Sequence, residues 1–266
     1  MRLIVNGSKL YYADDGPASS PTIVLIHGFP LSSEMWRNQI QALKRSYRVV
    51  SFDLRGQGGS LAGDGQFTLE FLVDDLITLL NKLGVERAIL CGLSMGGYVA
   101  LRAIERNTDR VSGLILCDTR SEADTNEGKL ARSATIRAIN EDGVKAFARR
   151  FLKDALSERS LSNPRLVSAA TKIIGRNKPL GLRGTLLALA GRTDTTSFLP
   201  RINVPTLIMV GETDKITSAD CSRRMHSLIQ NSELRLVAGA GHLSNMENST
   251  DFNAYLMNFL DRNIQA

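Results

Sequence analysis

Cysteine and histidine are scarce in this 266-residue chain, with three of each, and the shortage of cysteine limits what the protein can be. Cys91, Cys117 and Cys221 cannot all pair with one another, and none belongs to a CxxC or Cys/His cluster of the kind that binds zinc. We therefore expect reduced thiols in a cytoplasm, no metal and no cofactor.

Long apolar runs are also missing. The N-terminus lacks the apolar stretch of a signal peptide, and runs such as 23–26 have the length of a strand rather than of a membrane span. A soluble cytoplasmic protein without a membrane partner is expected. Hydrophobic residues make up 43% and charged residues 23%, which favours a globular fold over disorder. The length favours one α/β domain, with or without an insertion, over two independent domains.

Signals for nucleic-acid binding are absent from the sequence as well. The formal net charge is +6, but there is no Lys/Arg cluster with interleaved aromatics and no glycine-rich phosphate loop followed by Lys. We expect no nucleic-acid partner. The whole excess falls in 121–197, which holds 14 Lys or Arg against 8 Asp or Glu, whereas the remainder holds 19 of each sign. Such a segment predicts a solvated helical face, or attraction of anionic substrates if it borders an entrance.

What the chain does contain is a regular alternation of short apolar runs and helix-period stretches. Asn6-Gly7 lies between two apolar runs and predicts an N-terminal hairpin. Runs that are apolar on both faces predict mostly parallel strands at 22–26, 47–52, 87–91, 111–117, 206–210 and 233–237. Helical spacing predicts helices at 69–83, 97–106, 219–230 and 251–261. The alternation predicts an α/β fold with helices flanking a central sheet.

The segment between the fourth and fifth of these runs has no strand pattern. It shows helical spacing at 130–139, 144–156, 166–174 and 182–189. We predict a core domain of 1–120 and 198–266, with 121–197 inserted as a helical cap. An element added there overhangs the carboxyl ends of the strands. The functional interpretation is a lid over a site, and the alternative is that the segment only adds bulk to the fold.

A G-x-S-x-G motif, formed by Gly92, Ser94 and Gly96, follows a predicted strand and precedes a predicted helix. A nucleophile on so sharp a turn needs small neighbours two positions away on either side, because the backbone approaches adjacent chain closely. The motif predicts Ser94 as a nucleophile.

A serine hydroxyl needs a base, and His242 lies in the loop after the last predicted strand, within reach of the strand ends. His226 falls in a helix and is predicted to be a surface residue, while His27 is predicted to satisfy loop backbone groups. Asp214 and Asp118 each follow a strand and compete to orient the base. The position of Asp214 one strand before His242 favours it.

The remaining parts of such a site are oxyanion donors and a pocket. The backbone N–H groups of Phe29 and Met95 are predicted to stabilise a developing oxyanion. Leu31 and Leu243 are predicted to line an apolar substrate pocket, with ordinary core packing as the alternative.

Together these motifs resemble the α/β-hydrolase superfamily over nearly the whole chain. The stretch Asp53-Leu54-Arg55-Gly56-Gln57-Gly58-Gly59-Ser60 resembles that family's D-x-R-G-x-G-x-S loop, although Gln57 stands where many members have His. Gly241-His242, followed by Glu247, resembles its histidine loop. Ser94 in place of an aspartate argues against the haloalkane dehalogenase and epoxide hydrolase branches.

Within the serine branch, Gly-Leu-Ser-Met-Gly-Gly is similar to small bacterial carboxylesterases, 3-oxoadipate enol-lactonases and cofactor-free haloperoxidases. The resemblance implies a serine hydrolase that cleaves small-molecule carboxylic esters through an acyl-enzyme. A lactone hydrolase is the alternative, and so is a ligand receptor that keeps the triad but turns over little. The expected partner is a small-molecule ester or lactone, and the sequence makes no prediction of oligomeric state.

Overall fold

The structure, a computed structural model, describes residues 1–264. Residues 265 and 266, the end of the predicted core range 198–266, lie outside the described residues. The strands are β1 (Arg2–Val5), β2 (Ser8–Asp15), β3 (Thr22–Ile26), β4 (Arg48–Phe52), β5 (Ala88–Leu93), β6 (Val111–Cys117), β7 (Thr206–Gly211) and β8 (Ser232–Val237). The helices are α1 (Arg37–Leu43), α2 (Leu69–Lys82), α3 (Met95–Arg106), α4 (Asn126–Ala155), α5 (Glu158–Leu161), α6 (Pro164–Gly175), α7 (Pro179–Ala190), α8 (Ala219–Leu228), α9 (Ser244–Glu247) and α10 (Ser249–Asn263).

The eight strands form one sheet in the order β1-β2-β4-β3-β5-β6-β7-β8. β2 pairs antiparallel with β1 and β4, and every other pairing is parallel. Along β3, Val24 and Ile26 belong to one hydrophobic cluster, while Ile23 and Leu25 belong to another. Because successive residues of a strand face opposite sides, the sheet is buried on both faces, as the continuous apolar runs predict. The α/β fold with a mostly parallel central sheet, expected from the sequence, is confirmed.

The predicted strands are all present, with small differences at their ends. The N-terminal hairpin turns at Asn6 and Gly7, whose φ angles of 44° and 73° are both positive. β5 runs two residues beyond the predicted 87–91, because Gly92 and Leu93 continue to pair with β6. β2 continues to Asp15 and pairs with β4, an extension that its mixed polar sequence conceals.

The helices outside 121–197 also match the sequence pattern, again with shifted ends. α2 begins at the predicted cap, since the Thr68 side chain accepts a hydrogen bond from the Phe71 N–H. α3 starts two residues earlier than predicted, directly after Ser94, and α8 ends two residues before the predicted 230. Among the helices of residues 1–264, none combines the length and the hydropathy needed to cross a bilayer.

Four helices, α4 to α7, lie between β6 and β7, and we call residues 121–197 the helical insertion. α4 covers the predicted helix 130–139 and all but the last residue of the predicted helix 144–156, and Gly143 separates the two with a non-helical φ of 78° and ψ of 168°. The sequence pattern does not predict the short helix α5. The two ends of the insertion meet, because the Thr195 N–H donates to the Ser121 carbonyl at 3.0 Å.

The glycines beside Ser94 give the fold its first testable prediction. A Cβ at Gly96 would overlap the backbone carbonyl of Ile26, and one at Gly92 would overlap that of Gly96. Gly96→Ala is therefore expected to lower the free energy of unfolding by about 1–3 kcal/mol, because backbone must shift to accept the methyl group. Urea denaturation measures the loss.

Gly175→Ala is the matched control, since nothing lies within 4 Å of an added Cβ at the end of α6. This variant is expected to be as stable as the parent or slightly more stable, by up to about 1 kcal/mol. Equal unfolding midpoints for the two variants would contradict the close approach at Gly96.

Candidate active site

Ser94 occupies the single-residue turn between β5 and α3. Its φ of 52° and ψ of −112° lie outside the regions that residues with a side chain prefer. The backbone around it is held on both sides: the Ser94 N–H donates to the Cys117 carbonyl at 2.9 Å, and the Thr119 hydroxyl donates to the Ser94 carbonyl at 2.8 Å. Strain of this kind persists only where the surrounding structure fixes it, and it is concentrated at functional sites.

Two side chains from later in the sequence approach the Ser94 hydroxyl in series. Ser94 Oγ lies 2.9 Å from His242 Nε2, and His242 Nδ1 lies 2.8 Å from Asp214 Oδ2. Ser94, His242 and Asp214 are 8%, 1% and 6% exposed, respectively. An imidazole at this distance can take the hydroxyl proton, and a carboxylate on its far nitrogen can hold the correct tautomer.

Asp214 is fixed by the turn that follows β7. The N–H groups of Ile216 and Thr217 donate to its Oδ1 at 2.8 and 3.0 Å, and the Thr217 hydroxyl donates to its Oδ2 at 2.8 Å. Burial opposes ionisation, but the His242 imidazole and these hydrogen bonds hold the Asp214 pKa below its usual value. The sequence analysis missed Thr217, although an Asp whose side chain accepts from the backbone two and three residues later is a local turn pattern.

Asp118, the competing acid, lies elsewhere. Its carboxylate accepts from the Gly211 N–H at 2.8 Å and is hydrogen-bonded to the Ser244 hydroxyl. Within residues 1–264 it makes no hydrogen bond to His242. Complete burial, together with the nearby charge of Asp214, raises the pKa of Asp118 well above its usual value. The geometry thus brings Asp214 to the histidine and leaves Asp118 between the loops that carry Asp214 and His242.

The two predicted oxyanion donors have free backbone N–H groups. In the part of the chain that the structure describes, the N–H groups of Phe29 and Met95 donate no hydrogen bond. Met95 follows Ser94 directly, and the loop that carries Phe29 packs on the same turn, because a Cβ at Gly28 would lie 3.3 Å from Ser94 Cβ. Two free donors beside the Ser94 hydroxyl suit the stabilisation of a tetrahedral oxyanion.

His27 has the structural role expected for it, and Asp53 also stabilises loop backbone. His27 Nε2 accepts from the Leu54 N–H at 2.9 Å, and burial lowers the pKa of His27, so that the neutral form is favoured. Asp53 accepts from the N–H groups of Ser33 and Gly59 at 2.8 and 2.7 Å. His226 is exposed, as predicted for a surface residue.

The loop that carries His242 is held by Glu247 and by the helical insertion. Glu247 accepts hydrogen bonds from the N–H groups of Gly241 and Leu243 with one carboxylate oxygen, and from that of Ser157 with the other. The His242 N–H donates to the Ala155 carbonyl at 2.7 Å. The resemblance singled out Glu247, whereas Ala155 and Ser157 carry no sequence signal.

Leu31 and Leu243 are both fully buried. They belong to the same hydrophobic cluster as Phe147 and Leu152 of α4. This burial fits core packing, and contact with a substrate stays a prediction.

The cysteines are unpaired in the structure. Cys91 and Cys117 are buried in β5 and β6, and Cys221 is partly buried in α8. Residues 1–264 contain no group of three or more His, Cys, Asp or Glu side chains arranged to hold a metal ion.

Comparison with known proteins shows similarity to esterases and lactonases over nearly the whole chain. The chain is 30% identical to 3-oxoadipate enol-lactonase 1 of Acinetobacter baylyi over 247 residues, which cover 92% of this chain and 91% of that protein. It superposes on a malate-bound thermophilic esterase from Thermogutta terrifontis with a TM-score of 0.95 and 33% identity, covering 100% of both chains. The enol-lactonase from Burkholderia xenovorans gives a TM-score of 0.92 and 28% identity, covering 98% of this chain and 100% of that one.

The family comparison agrees with the architecture. A family model described as the alpha/beta hydrolase fold matches residues 21–249, from the start of β3 to the start of α10. The chain therefore belongs to the alpha/beta-hydrolase family.

Proposed function

We propose that the protein is a serine hydrolase that cleaves carboxylic esters of small molecules through an acyl-enzyme. The observation that carries the proposal is the buried series of contacts from Ser94 Oγ to His242 Nε2, at 2.9 Å, and from His242 Nδ1 to Asp214 Oδ2, at 2.8 Å. Esterases and lactonases among the family relatives support hydrolase activity in general.

The reaction follows from these contacts. As Ser94 Oγ attacks the ester carbonyl, His242 Nε2 takes the hydroxyl proton, and the N–H groups of Phe29 and Met95 stabilise the oxyanion. The Asp214 carboxylate stabilises the imidazolium. His242 then returns the proton to the leaving alkoxide, which departs as the alcohol. Finally, His242 deprotonates a water molecule that attacks the acyl-enzyme, and it then returns that proton to Ser94 Oγ as the acid product leaves. No step requires a cofactor.

A lactone substrate is the second candidate, because enol-lactonases are among the relatives. In a lactone the leaving alcohol stays attached to the acyl group, so the same residues open the ring without releasing a fragment. If basic side chains of the helical insertion border the entrance, its positive charge favours a lactone that bears a carboxylate. The structure of the Thermogutta terrifontis esterase contains bound malate, which is also a carboxylate. That observation concerns the esterase itself.

The helical insertion is proposed to act as a cap, with 1–120 and 198–266 as the core. The contacts of Ala155 and Ser157 with the His242 loop support this division, since they place part of the insertion against the site. A cytoplasmic location, and the lack of nucleic-acid and membrane partners, stay predictions from the sequence.

Replacement of the nucleophile gives the most direct test. Ser94→Ala is expected to abolish turnover of activated esters, with a loss of about 10⁶ in kcat if the three residues act as a unit, as they do in subtilisin. A fluorophosphonate should label the parent at Ser94, as peptide mass analysis would show, and should not label the variant.

Ser227→Ala, in the exposed part of α8, is the control and should label and turn over like the parent. An active Ser94→Ala variant, or a label on another serine, would defeat the proposal. Stoichiometric labelling without turnover of any ester or lactone would favour a ligand receptor instead.

Replacing each of the two buried acids, Asp214 and Asp118, by Asn tests which of them orients His242. Asp214→Asn is expected to lose about 10³- to 10⁴-fold in kcat, because an amide favours the wrong imidazole tautomer and leaves the imidazolium without a counter-charge. Asp118→Asn should lose far less, because its amide oxygen can still accept from the Gly211 N–H. Steady-state kinetics of both variants on one ester is the measurement, and equal losses would contradict the assignment of Asp214.

Ionic strength distinguishes the substrate classes. If the basic side chains of the helical insertion attract anions, kcat/KM for a carboxylate-bearing ester should fall as salt rises from 0.01 to 0.1 M, because the screening length drops from about 30 to about 10 Å. A matched neutral ester is the control and should change little. Parallel behaviour of the two esters would remove the electrostatic support for an anionic lactone and favour a general carboxylesterase.

A further inference from the structure

Asn177 links the helical insertion to the core at the turn between α6 and α7. Its Nδ2 donates to the Pro30 carbonyl at 2.7 Å, and its Oδ1 accepts from the Gly58 N–H at 2.7 Å. The residue is 5% exposed, and its partners are 147 and 119 positions away along the chain. One buried amide group therefore satisfies a backbone acceptor and a backbone donor of the core at once.

The carbonyl that Asn177 holds belongs to the loop with the proposed oxyanion donor. The Leu31 N–H donates to the Gly28 carbonyl at 2.9 Å, which makes Phe29 and Pro30 the two central residues of a four-residue turn. The proline ring fixes φ at Pro30, so few free torsions separate the Phe29 N–H from the Pro30 carbonyl. A contact that fixes the Pro30 carbonyl therefore also fixes the direction of the adjacent Phe29 N–H.

The same contact closes a ring of hydrogen bonds around this loop. Asp53 binds the N–H groups of Ser33 and Gly59 with its two carboxylate oxygens. Asn177 bridges the same two loops at Pro30 and at Gly58, the residue before Gly59. Asp53 belongs to the core, whereas Asn177, which completes the ring, belongs to the helical insertion.

We propose that Asn177 is a positioning residue for oxyanion stabilisation, which makes the helical insertion part of the machinery that stabilises the transition state. The inference rests on the proposed serine hydrolase function. Loss of the Asn177 bridge frees the Pro30 carbonyl and lets the Phe29 N–H turn away, while Ser94, His242 and Asp214 keep their mutual contacts. The defect is therefore expected in the transition state and not in substrate binding.

Asn177→Asp is the informative variant. Its carboxylate still accepts from the Gly58 N–H, but it cannot donate to the Pro30 carbonyl and repels it. Removal of one oxyanion donor costs about 10²- to 10³-fold in rate, and a donor that is displaced rather than removed should cost less. We expect kcat to fall about 10- to 100-fold with KM nearly unchanged. Asn177→Ser adds no titratable group, so the pH profile of kcat/KM for that variant should match that of the parent.

Thr185→Val is the matched control. The Thr185 hydroxyl is fully buried and accepts a different hydrogen bond between the core and the insertion, from Gln57 Nε2 at 3.2 Å. Its loss should lower the thermal midpoint but leave kcat close to that of the parent, because this bond does not reach the Phe29 loop. If Asn177→Asp fails to fold, Asn177→Ser provides the same comparison without an added charge.

A trifluoromethyl ketone supplies a readout that a purely structural role would not move. Ser94 Oγ adds to its carbonyl carbon, the hydroxyl proton passes to His242, and the carbonyl oxygen becomes an oxyanion. Across the parent, Asn177→Asp and Thr185→Val, the inhibition constant should rise in proportion to the fall in kcat/KM. A loss confined to KM, unchanged ketone affinity, or equal losses in kcat for both variants would overturn the role of Asn177. A parent protein that neither turns over esters nor is labelled at Ser94 would instead defeat the proposed function.

Discussion

The backbone at Ser94 is the constraint on which the rest of the site depends. A φ of 52° and a ψ of −112° turn the chain from strand to helix within one residue. That turn requires the absence of side chains at Gly92 and Gly96, where a Cβ would overlap neighbouring backbone. It is stabilised from β6, through the Cys117 carbonyl and the Thr119 hydroxyl. The position of the hydroxyl is thus determined by the central strands β5 and β6, which are buried almost throughout.

The other groups reach Ser94 from loops at the carboxyl ends of neighbouring strands, where an open parallel sheet brings its connections together. Loops are the mobile parts of a domain, so each needs its own support. The Asp214 turn is supported locally by Thr217, and the His242 loop is supported by Glu247 and by Ala155 of α4. Support for two of the loops therefore comes partly from the helical insertion, which contacts the backbone of the His242 loop and of the Phe29 loop.

The parts of this arrangement that the sequence predicts are those with a local signature. Ser94 is identified by its two glycines and by the change from strand to helix pattern, and His242 and Asp214 by their positions after strands. The choice between Asp214 and Asp118 is less secure from sequence, because both follow a strand and only the three-dimensional contact with His242 distinguishes them. Asn177 has no signature at all, since its partners are more than a hundred residues away and any Asn before a helix looks like a turn residue.

The joined ends of the helical insertion affect how this protein can evolve. Ser121 and Thr195 are hydrogen-bonded at its base, and β6 and β7 pair directly beneath them, from Leu114 with Thr206 to Cys117 with Met209. An exchanged or shortened insertion would therefore leave the register of the sheet intact, as with a domain spliced into a surface loop. The replacement would still have to offer an acceptor to the His242 N–H and a bridge to the Pro30 carbonyl. Recombination could therefore give this fold a different insertion and a different substrate range. The new segment would need to keep the few backbone contacts to the His242 and Phe29 loops.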